Sequence, residues 1–255
     1  MKKMYELGIA FGGGGTRGYY HAGVLKRLLE LGYRPQIVSG TSVGAIVAAL
    51  YAQGLSTENM LDAFNVLTLK DFLEPRIPKE YLTDSKPVRK ILERTLMAKT
   101  FEELKIPLKI VTTCLESSKE VVFEKGPLID AIIASCSVPV VFPPVRIQGK
   151  HYVDGGVIRN VPVYPIRKEC KKVLAVNLFP VSENEVEYSR SMKHIAERCV
   201  TMLFNAGASY DLSLADMVIQ DIEMAGYSTY DFKHREEMFK LGYNASALKL
   251  LDKIG

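Results

Sequence analysis

The sequence predicts a single α/β domain with three layers, in which helices cover both faces of a mainly parallel central sheet. Two apolar runs that read as strands, Leu7–Phe11 and Gln36–Ser39, alternate with segments whose apolar residues recur at helical spacing. A chain of 255 residues is long enough to bury one large core, so we expect residues 1–255 to form one domain. No apolar stretch reaches the length of a membrane span.

Composition and charge narrow the class of protein. With 47% hydrophobic and 24% charged residues, the chain has the make-up of an ordinary globular protein. The net charge of +4 comes from Lys and Arg spread along the chain, so we predict no nucleic-acid partner, although a basic surface favours anionic lipid. The apolar run after the N-terminal lysines breaks at Gly12, too early for a signal peptide, and we therefore expect a cytoplasmic protein.

The four cysteines indicate neither a disulfide framework nor a metal site. They are far apart, form no C-x-x-C pair and have no histidine at metal-ligand spacing: Cys114, Cys136, Cys170 and Cys199. We expect free thiols, no bound metal and no cofactor. The sequence leaves the oligomeric state open.

The N-terminal part predicts two successive strand–loop–helix units. Strand Leu7–Phe11 runs into a glycine-rich loop, Gly12–Gly18, and the helix that follows keeps one apolar face until Gly32. Strand Gln36–Ser39 leads into an apolar helix over Ala45–Ala52. In a parallel sheet the loops after two such strands emerge at the same edge, where sites normally form.

The segment from Leu55 to Leu104 predicts helices with no strand between them. Prolines at 75, 78 and 87 divide it into pieces. A helical segment at this point of the chain can form a lid or a mouth for a substrate, or it can simply cover the sheet.

Shorter patterns predict the remaining elements. We expect strands at Leu108–Leu115, Glu120–Phe123, Val145–Gln148, His151–Asp154, Val173–Leu178 and Met217–Ile222. We expect helices at Leu128–Cys136, Ser191–Asn205 and Phe232–Leu251, the last with a break near Gly242.

A serine between two glycines is the first chemical motif. Gly40-Thr41-Ser42-Val43-Gly44 lies between a predicted strand and a predicted helix, the context of a nucleophile elbow. The tight turn exposes the Ser42 hydroxyl, and the flanking Gly40 and Gly44 avoid side-chain clashes. A plain Gly-Ser turn is the alternative interpretation of this motif taken alone.

The glycine-rich loop is the second motif. A serine nucleophile needs donors for the oxyanion that forms on attack, and the amides of Gly13, Gly14 and Gly15 open a helix whose dipole favours negative charge. We expect this loop to face Ser42 across the sheet edge.

The base that would activate Ser42 is the third requirement. Asp154 follows an apolar stretch and precedes Gly155 and Gly156. Partial burial at this position would raise its proton affinity, as a general base requires. The alternative interpretation is that Asp154 belongs to an ordinary Asp-Gly turn. The four histidines, His21, His151, His194 and His234, are poor candidates. His151 differs from Asp154 by an odd number of positions in one strand and so points to the other face.

Together the three motifs resemble those of the patatin-like phospholipase family. The glycine-rich motif matches Gly13-Gly14-Gly15-Thr16-Arg17-Gly18, the elbow matches Gly40 to Gly44, and the Asp-Gly-Gly motif matches Asp154 to Gly156. Ala134 to Pro139 is similar to the alanine-serine block of the family. The resemblance spans roughly Leu7 to Pro165.

The resemblance implies a Ser-Asp dyad in which Asp154 activates Ser42 without a histidine. It implies hydrolysis of lipid acyl esters through an acyl-enzyme, with the amides of Gly13, Gly14 and Gly15 as the oxyanion hole. Arg17 is expected to brace the loop or to meet an anionic head group, and Gly18 supports the motif. A lipid substrate allows peripheral contact with a membrane.

Three alternatives stay open at the level of sequence. Gly13-x-Gly15-x-x-Gly18 has the spacing of a dinucleotide-binding fingerprint, although the acidic residue expected about 20 positions on is missing. A lipid-binding scaffold could keep the fold without turnover. A transacylase would share the acyl-enzyme and pass the acyl group to an alcohol or lysolipid.

Overall fold

The computed structural model describes residues 4–65, 83–181 and 191–251. A mixed eight-stranded sheet lies between helices, which confirms the predicted three-layer α/β fold. The strands are β1 (Tyr5–Phe11), β2 (Ile37–Thr41), β3 (Leu108–Cys114), β4 (Lys119–Phe123), β5 (Val145–Ile147), β6 (Lys150–Asp154), β7 (Cys170–Val176) and β8 (Met217–Ile219). The helices are α1 (Gly18–Glu30), α2 (Val43–Gln53), α3 (Thr57–Asn65), α4 (Lys86–Thr95), α5 (Leu128–Ser135), α6 (Tyr164–Arg167), α7 (Met192–Leu214) and α8 (Arg235–Leu251).

The sheet has a parallel centre and an antiparallel end. Its strand order is β5-β6-β3-β2-β1-β7-β8, with β4 also paired to β3. The strands β3, β2, β1, β7 and β8 run parallel to their neighbours in that series. The pairs β3–β4, β3–β6 and β5–β6 are antiparallel.

Two strands share one edge of β3, end to end. β2 pairs with the first part of β3 and places Thr41 opposite Val111, whereas β6 pairs with the second part and places Asp154 opposite Thr112. The other edge of β3 is taken by β4. Because β6 runs against β2, the carboxyl ends of the two strands meet over adjacent residues of β3, and the chain leaves β2 directly at Ser42.

Side chains of the central strands alternate between two cores. In β1, Ile9 and Phe11 belong to the larger core with residues of α1, α2, α5 and α8. Ala10 points the other way, into a smaller core with Ile166 of α6 and Ala208 of α7. This alternation is what burial of both faces of a sheet requires.

Several predicted boundaries differ from the structure, and two of these helices contain a glycine that contacts another part of the backbone. α8 continues through Gly242, where a Cβ atom would lie 2.1 Å from Tyr20 O of α1. α7 continues past Asn205 to Leu214, and a Cβ atom on Gly207 would lie 3.0 Å from Ile158 O. Strand β7 begins at Cys170, not at Val173, because β1 pairs Cys170 with Tyr5. Strand β8 ends at Ile219, the last residue that pairs with β7, and not at Ile222.

The predicted lid segment is described only in part. Helices α3 and α4 lie within Leu55–Leu104, whereas residues 66–82 fall outside the described part of the chain. Among the helices that the structure describes, none combines the length and apolarity that crossing a bilayer demands.

Candidate active site

Ser42 occupies a strained turn between β2 and α2. Its φ of 55° and ψ of −128° lie in a region that side-chain-bearing residues seldom adopt, at a cost of about 1–3 kcal/mol. Backbone contacts enforce the turn. A Cβ atom on Gly40 would lie 2.4 Å from Gly44 O, and one on Gly44 would lie 2.2 Å from Phe11 O, so both positions require glycine.

Ser135, at the end of α5, holds the turn from the other side. The Ser42 amide donates to Ser135 Oγ at 2.9 Å, and this hydroxyl donates to Val111 O at 2.7 Å. Val111 is the β3 residue paired with Thr41, so the three residues fix the turn to the sheet. Ser135 had no assigned role in the sequence; its signal is a serine that ends a run of buried apolar residues, Ala131 to Ala134.

The glycine-rich loop lies against Ser42, as the topology predicts. A Cβ atom on Gly13 would lie 3.1 Å from Ser42 Cβ. The prediction that Gly13 supplies a free amide does not hold, because its N–H donates to Asn160 O at 3.1 Å. Within the described residues no acceptor takes the amide of Gly14 or Gly15.

Arg17 braces this loop. It is 5% exposed and donates to Leu178 O at 2.8 Å and to Tyr227 O at 3.0 Å, while its guanidinium stacks on the Phe179 ring at 4.7 Å. These contacts tie the start of α1 to the segments that follow β7 and precede α8. Gly18 meets α2, since a Cβ atom there would lie 2.4 Å from a methyl group of Val43.

Asp154 is a buried carboxylate at the end of β6. It is 1% exposed, and burial raises its pKa to about 6, against the opposing influence of the nearby Ser42 hydroxyl and the Gly156 amide. Oδ1 accepts from Gly156 N at 2.7 Å, whereas Oδ2 has no hydrogen-bond partner among the described residues. A Cβ atom on Gly155 would lie 2.3 Å from Val111 O, which explains the glycine after the aspartate.

Two further residues reach this site that the sequence analysis did not assign to it. The Cys136 thiol lies beside Ser42 and Asp154, and burial together with the Asp154 carboxyl raises its pKa. Asn160 is fully buried, and a Cβ atom on Gly13 would lie 2.6 Å from its Oδ1. Cys136 follows α5 directly, whereas the position of Asn160 depends on how the chain folds back after β6.

Each histidine whose side chain the structure describes has a hydrogen-bond partner other than Ser42 or Asp154. His151 is exposed and contacts Glu116 through Nδ1 at 2.7 Å, and His234 contacts Asp231 at 2.6 Å. His21 is buried, bonds Gly12 O through Nε2 at 2.7 Å, and has its pKa lowered to about 4 by burial. The side chain of His194 lies outside the described residues.

Across residues 4–65, 83–181 and 191–251, no group of three or more His, Cys, Asp or Glu side chains is arranged to hold a metal ion. All four cysteines are free thiols.

The strained serine turn and the carboxylate at the facing strand end define a nucleophile-elbow architecture. The family model for patatin-like phospholipases matches residues 9–166, more than half of the chain. The chain therefore belongs to the patatin-like phospholipase family. The match includes the glycine-rich loop, so the alternative of a dinucleotide-binding domain has no support.

Curated relatives belong to the same family. An uncharacterised NTE family protein of Mycobacterium bovis is 33% identical over 215 residues, which cover 81% of this chain and 60% of that protein. Patatin-like phospholipase domain-containing protein 6 of Homo sapiens is 30% identical over 189 residues, which cover 71% of this chain and 14% of that protein. The chain thus spans 60% of the length of the mycobacterial relative.

Solved structures share the fold at low sequence identity. VipD from Legionella pneumophila superimposes with a TM-score of 0.64 and 14% identity, covering 97% of this chain and 67% of that chain. The type III effector protein ExoU superimposes with a TM-score of 0.52 and 14% identity, covering 97% of this chain and 53% of that chain.

Proposed function

We propose that the protein is a serine hydrolase of lipid acyl esters, with Ser42 as the nucleophile and Asp154 as the base. The substrate class is fatty-acyl esters of phospholipids, lysophospholipids or related lipids. The observation that carries the proposal is the meeting of β2 and β6 on one edge of β3, which places a strained serine next to a buried carboxylate. Membership of the family and the names of its relatives support a lipid ester as substrate.

The first half of the reaction forms an acyl-enzyme. Asp154 accepts the hydroxyl proton as Ser42 Oγ attacks the ester carbonyl carbon, and the oxyanion accepts from the amides of Gly14 and Gly15. The amino terminus of α2, directly after Ser42, adds positive potential at the same place. The tetrahedral intermediate collapses as Asp154 returns the proton to the leaving alcohol.

The second half releases the fatty acid. Water loses a proton to Asp154 and attacks the acyl carbon, the bond to Ser42 Oγ breaks, and Asp154 returns the proton to that oxygen. A transacylase would differ only in the acceptor, an alcohol or lysolipid in place of water. Product analysis with and without added lysolipid distinguishes the two.

An apolar cavity beside α2 lies in the direction that an acyl chain on Ser42 would take. Its volume is about 10 Å³, room for one water molecule, and it lies between α2, α3 and α4. It is lined by Ile46, Leu50, Ala63, Val88, Ile91, Leu92 and Thr95. Ile46 lies one helical turn after Ser42, so a chain esterified to Ser42 that runs along α2 would enter here as the lining side chains move apart.

Filling the cavity should change chain-length preference. Ile91 is only partly buried at the rim of the cavity, so Ile91→Phe can cover its mouth from the solvent side. We expect kcat/KM for p-nitrophenyl dodecanoate to fall about tenfold relative to p-nitrophenyl butyrate. Met97→Phe, at an 84% exposed position just after α4, is the control and should leave the ratio unchanged. If the ratio of kcat/KM for the two esters is unchanged in Ile91→Phe, the acyl chain of the substrate binds elsewhere.

Exposed apolar side chains on α7 support peripheral contact with a lipid surface. Met192, Met202 and Leu203 are 86%, 58% and 68% exposed. On the same helix, Phe204 faces inward, where its ring would lie 3.2 Å from a Cβ atom on Gly156. The stretch of α7 that carries Met202 and Leu203 therefore packs its inner side near Gly156, two residues after Asp154, and turns its outer side towards a lipid surface.

A histidine-free mechanism predicts that His151→Ala remains active. His151 lies on an exposed strand and engages Glu116, so its loss removes one surface contact. We expect kcat/KM within about threefold of wild type. A loss comparable to that of a Ser42 variant would instead indicate a histidine-based triad.

Labelling with a fluorophosphonate probe, followed by peptide mass mapping, tests the function without knowledge of the substrate. The probe reacts with an activated serine, so we expect label on Ser42 in wild type and none in Asp154→Asn. A folded wild-type protein without label would refute the proposal and favour a lipid-binding scaffold, which vesicle binding would then detect.

A further inference from the structure

Asn160 lies between the two glycine motifs of the site. It is fully buried, and its carbonyl oxygen accepts from the Gly13 amide at 3.1 Å. Its side-chain oxygen would lie 2.6 Å from a Cβ atom on Gly13 and 3.1 Å from one on Gly156. The Asn160 carboxamide therefore occupies space that is open because Gly13 and Gly156 have no side chains.

The carboxamide has no hydrogen-bond partner within the described residues. Neither Oδ1 nor Nδ2 of Asn160 is paired, and the same holds for Oδ2 of Asp154. A buried polar group without a partner costs about 1–3 kcal/mol, and an apolar residue of similar shape would avoid that cost. A buried carboxamide with both polar atoms unpaired, next to a carboxylate that also keeps one oxygen unpaired, indicates a polar ligand of the reaction.

The two residues converge on Gly156. A Cβ atom there would lie 3.0 Å from Asp154 Oδ1 and 3.1 Å from Asn160 Oδ1, so both side chains approach the same backbone position. Water matches this set, because it can donate one hydrogen to a carboxylate and the other to an amide oxygen. Both lone pairs of its oxygen then remain free for attack.

We propose that Asn160 binds and orients the water that hydrolyses the acyl-enzyme, an inference that rests on the proposed function. The water donates one hydrogen to Asp154 and the other to Asn160 Oδ1. As its oxygen bonds to the acyl carbon, the first proton moves to Asp154, and the bond to Ser42 Oγ then breaks as that proton passes to Oγ. Acylation uses no water, so Asn160 acts in the second half-reaction alone.

Pre-steady-state kinetics separate the two half-reactions. With p-nitrophenyl butyrate, the burst phase reports acylation and the steady state reports deacylation. We expect Asn160→Leu, which keeps the branched shape, to retain a burst rate within about threefold of wild type while the steady-state rate falls on the order of 10–100-fold. Intact-mass measurement should show the butyryl group accumulating on the variant, at Ser42.

Asn177 provides a matched control. It is also a buried asparagine, 1% exposed, but its amide donates to Gln220 and its oxygen accepts from Phe179 N. We expect Asn177→Leu to lower thermal stability without accumulating acyl-enzyme. Asn160→Ala serves as the second variant if Asn160→Leu fails to fold.

Two outcomes would overturn the inference in different ways. If Asn160 variants slow fluorophosphonate labelling and the burst as much as turnover, Asn160 shapes the glycine loop and has no separate role with water. If wild-type Ser42 takes no label at all, the proposed function fails and the inference fails with it.

Discussion

Ser42→Ala is expected to abolish turnover and fluorophosphonate labelling while leaving the fold intact. The substitution removes the only atom that would form the acyl bond, and we expect kcat/KM to fall by at least about 10⁴-fold. The backbone turn is fixed by the Ser42 amide, which donates to Ser135 Oγ, and by the glycines on either side, so alanine can keep it. We expect the free energy of unfolding to change by less than about 1 kcal/mol.

Ser118→Ala is a closely matched control for this substitution. Ser118 has a φ of 53°, almost the same as the 55° of Ser42, but lies in the exposed turn between β3 and β4. Both variants therefore replace serine by alanine at a left-handed backbone position, and only one carries the proposed nucleophile. Equal activity in the two variants would remove Ser42 from the mechanism, and loss of Ser42→Ala activity through unfolding would show in circular dichroism.

The catalytic candidates can be predicted from short motifs because each candidate is flanked by glycines that close backbone contacts require. Gly40 and Gly44 are required by contacts inside one strand–turn–helix unit, and the serine between them is recognisable for that reason. Asp154 is recognisable through the glycine that follows it, which has no room for a side chain beside Val111 O. These constraints act over short stretches of sequence.

The pairing that brings the candidates together is not local. Ser42 and Asp154 meet because β2 and β6 occupy successive parts of one edge of β3, and that register depends on strands far apart in sequence. No hydrophobic period specifies that two strands will share an edge. The sequence predicts that both residues lie at strand ends but does not predict that the two ends abut.

Long-range contacts also explain what sequence reasoning missed or misassigned. The Gly13 amide is occupied only because the chain returns after β6 and presents Asn160 O to it. Gly242 reads as a helix break, yet it is the point where α8 approaches the backbone of α1. In both cases the neighbour that decides the role of the glycine is remote in sequence.

Asp154→Asn is expected to lose activity and to gain stability, in a pH-dependent manner. The base must be ionised to accept a proton, so wild-type kcat/KM should rise with pH around 6, the pKa that burial imposes on Asp154. Asparagine cannot accept that proton, and we expect kcat/KM to fall by at least about 10³-fold at pH 8. It can still accept from the Gly156 amide through its side-chain oxygen.

The sign of the stability change follows from the direction of the pKa shift. A carboxyl whose folded pKa is raised above its ordinary 3.8 favours folding while it is neutral, and that contribution is lost as pH rises through about 6. Ionised Asp154 thus costs the folded state on the order of 3 kcal/mol at pH 8. We expect Asp154→Asn to unfold at a higher temperature than wild type at pH 8, with the difference shrinking towards pH 4.

Asp62→Asn, on the exposed surface of α3, is the control for the loss of one negative charge. It should change neither activity nor the pH dependence of unfolding. If Asp154→Asn is no more stable than wild type at pH 8, the ionised Asp154 carboxylate does not destabilise the folded protein. If the gain in stability appears together with the loss of turnover, the same desolvation that destabilises the folded protein keeps Asp154 basic enough to deprotonate Ser42.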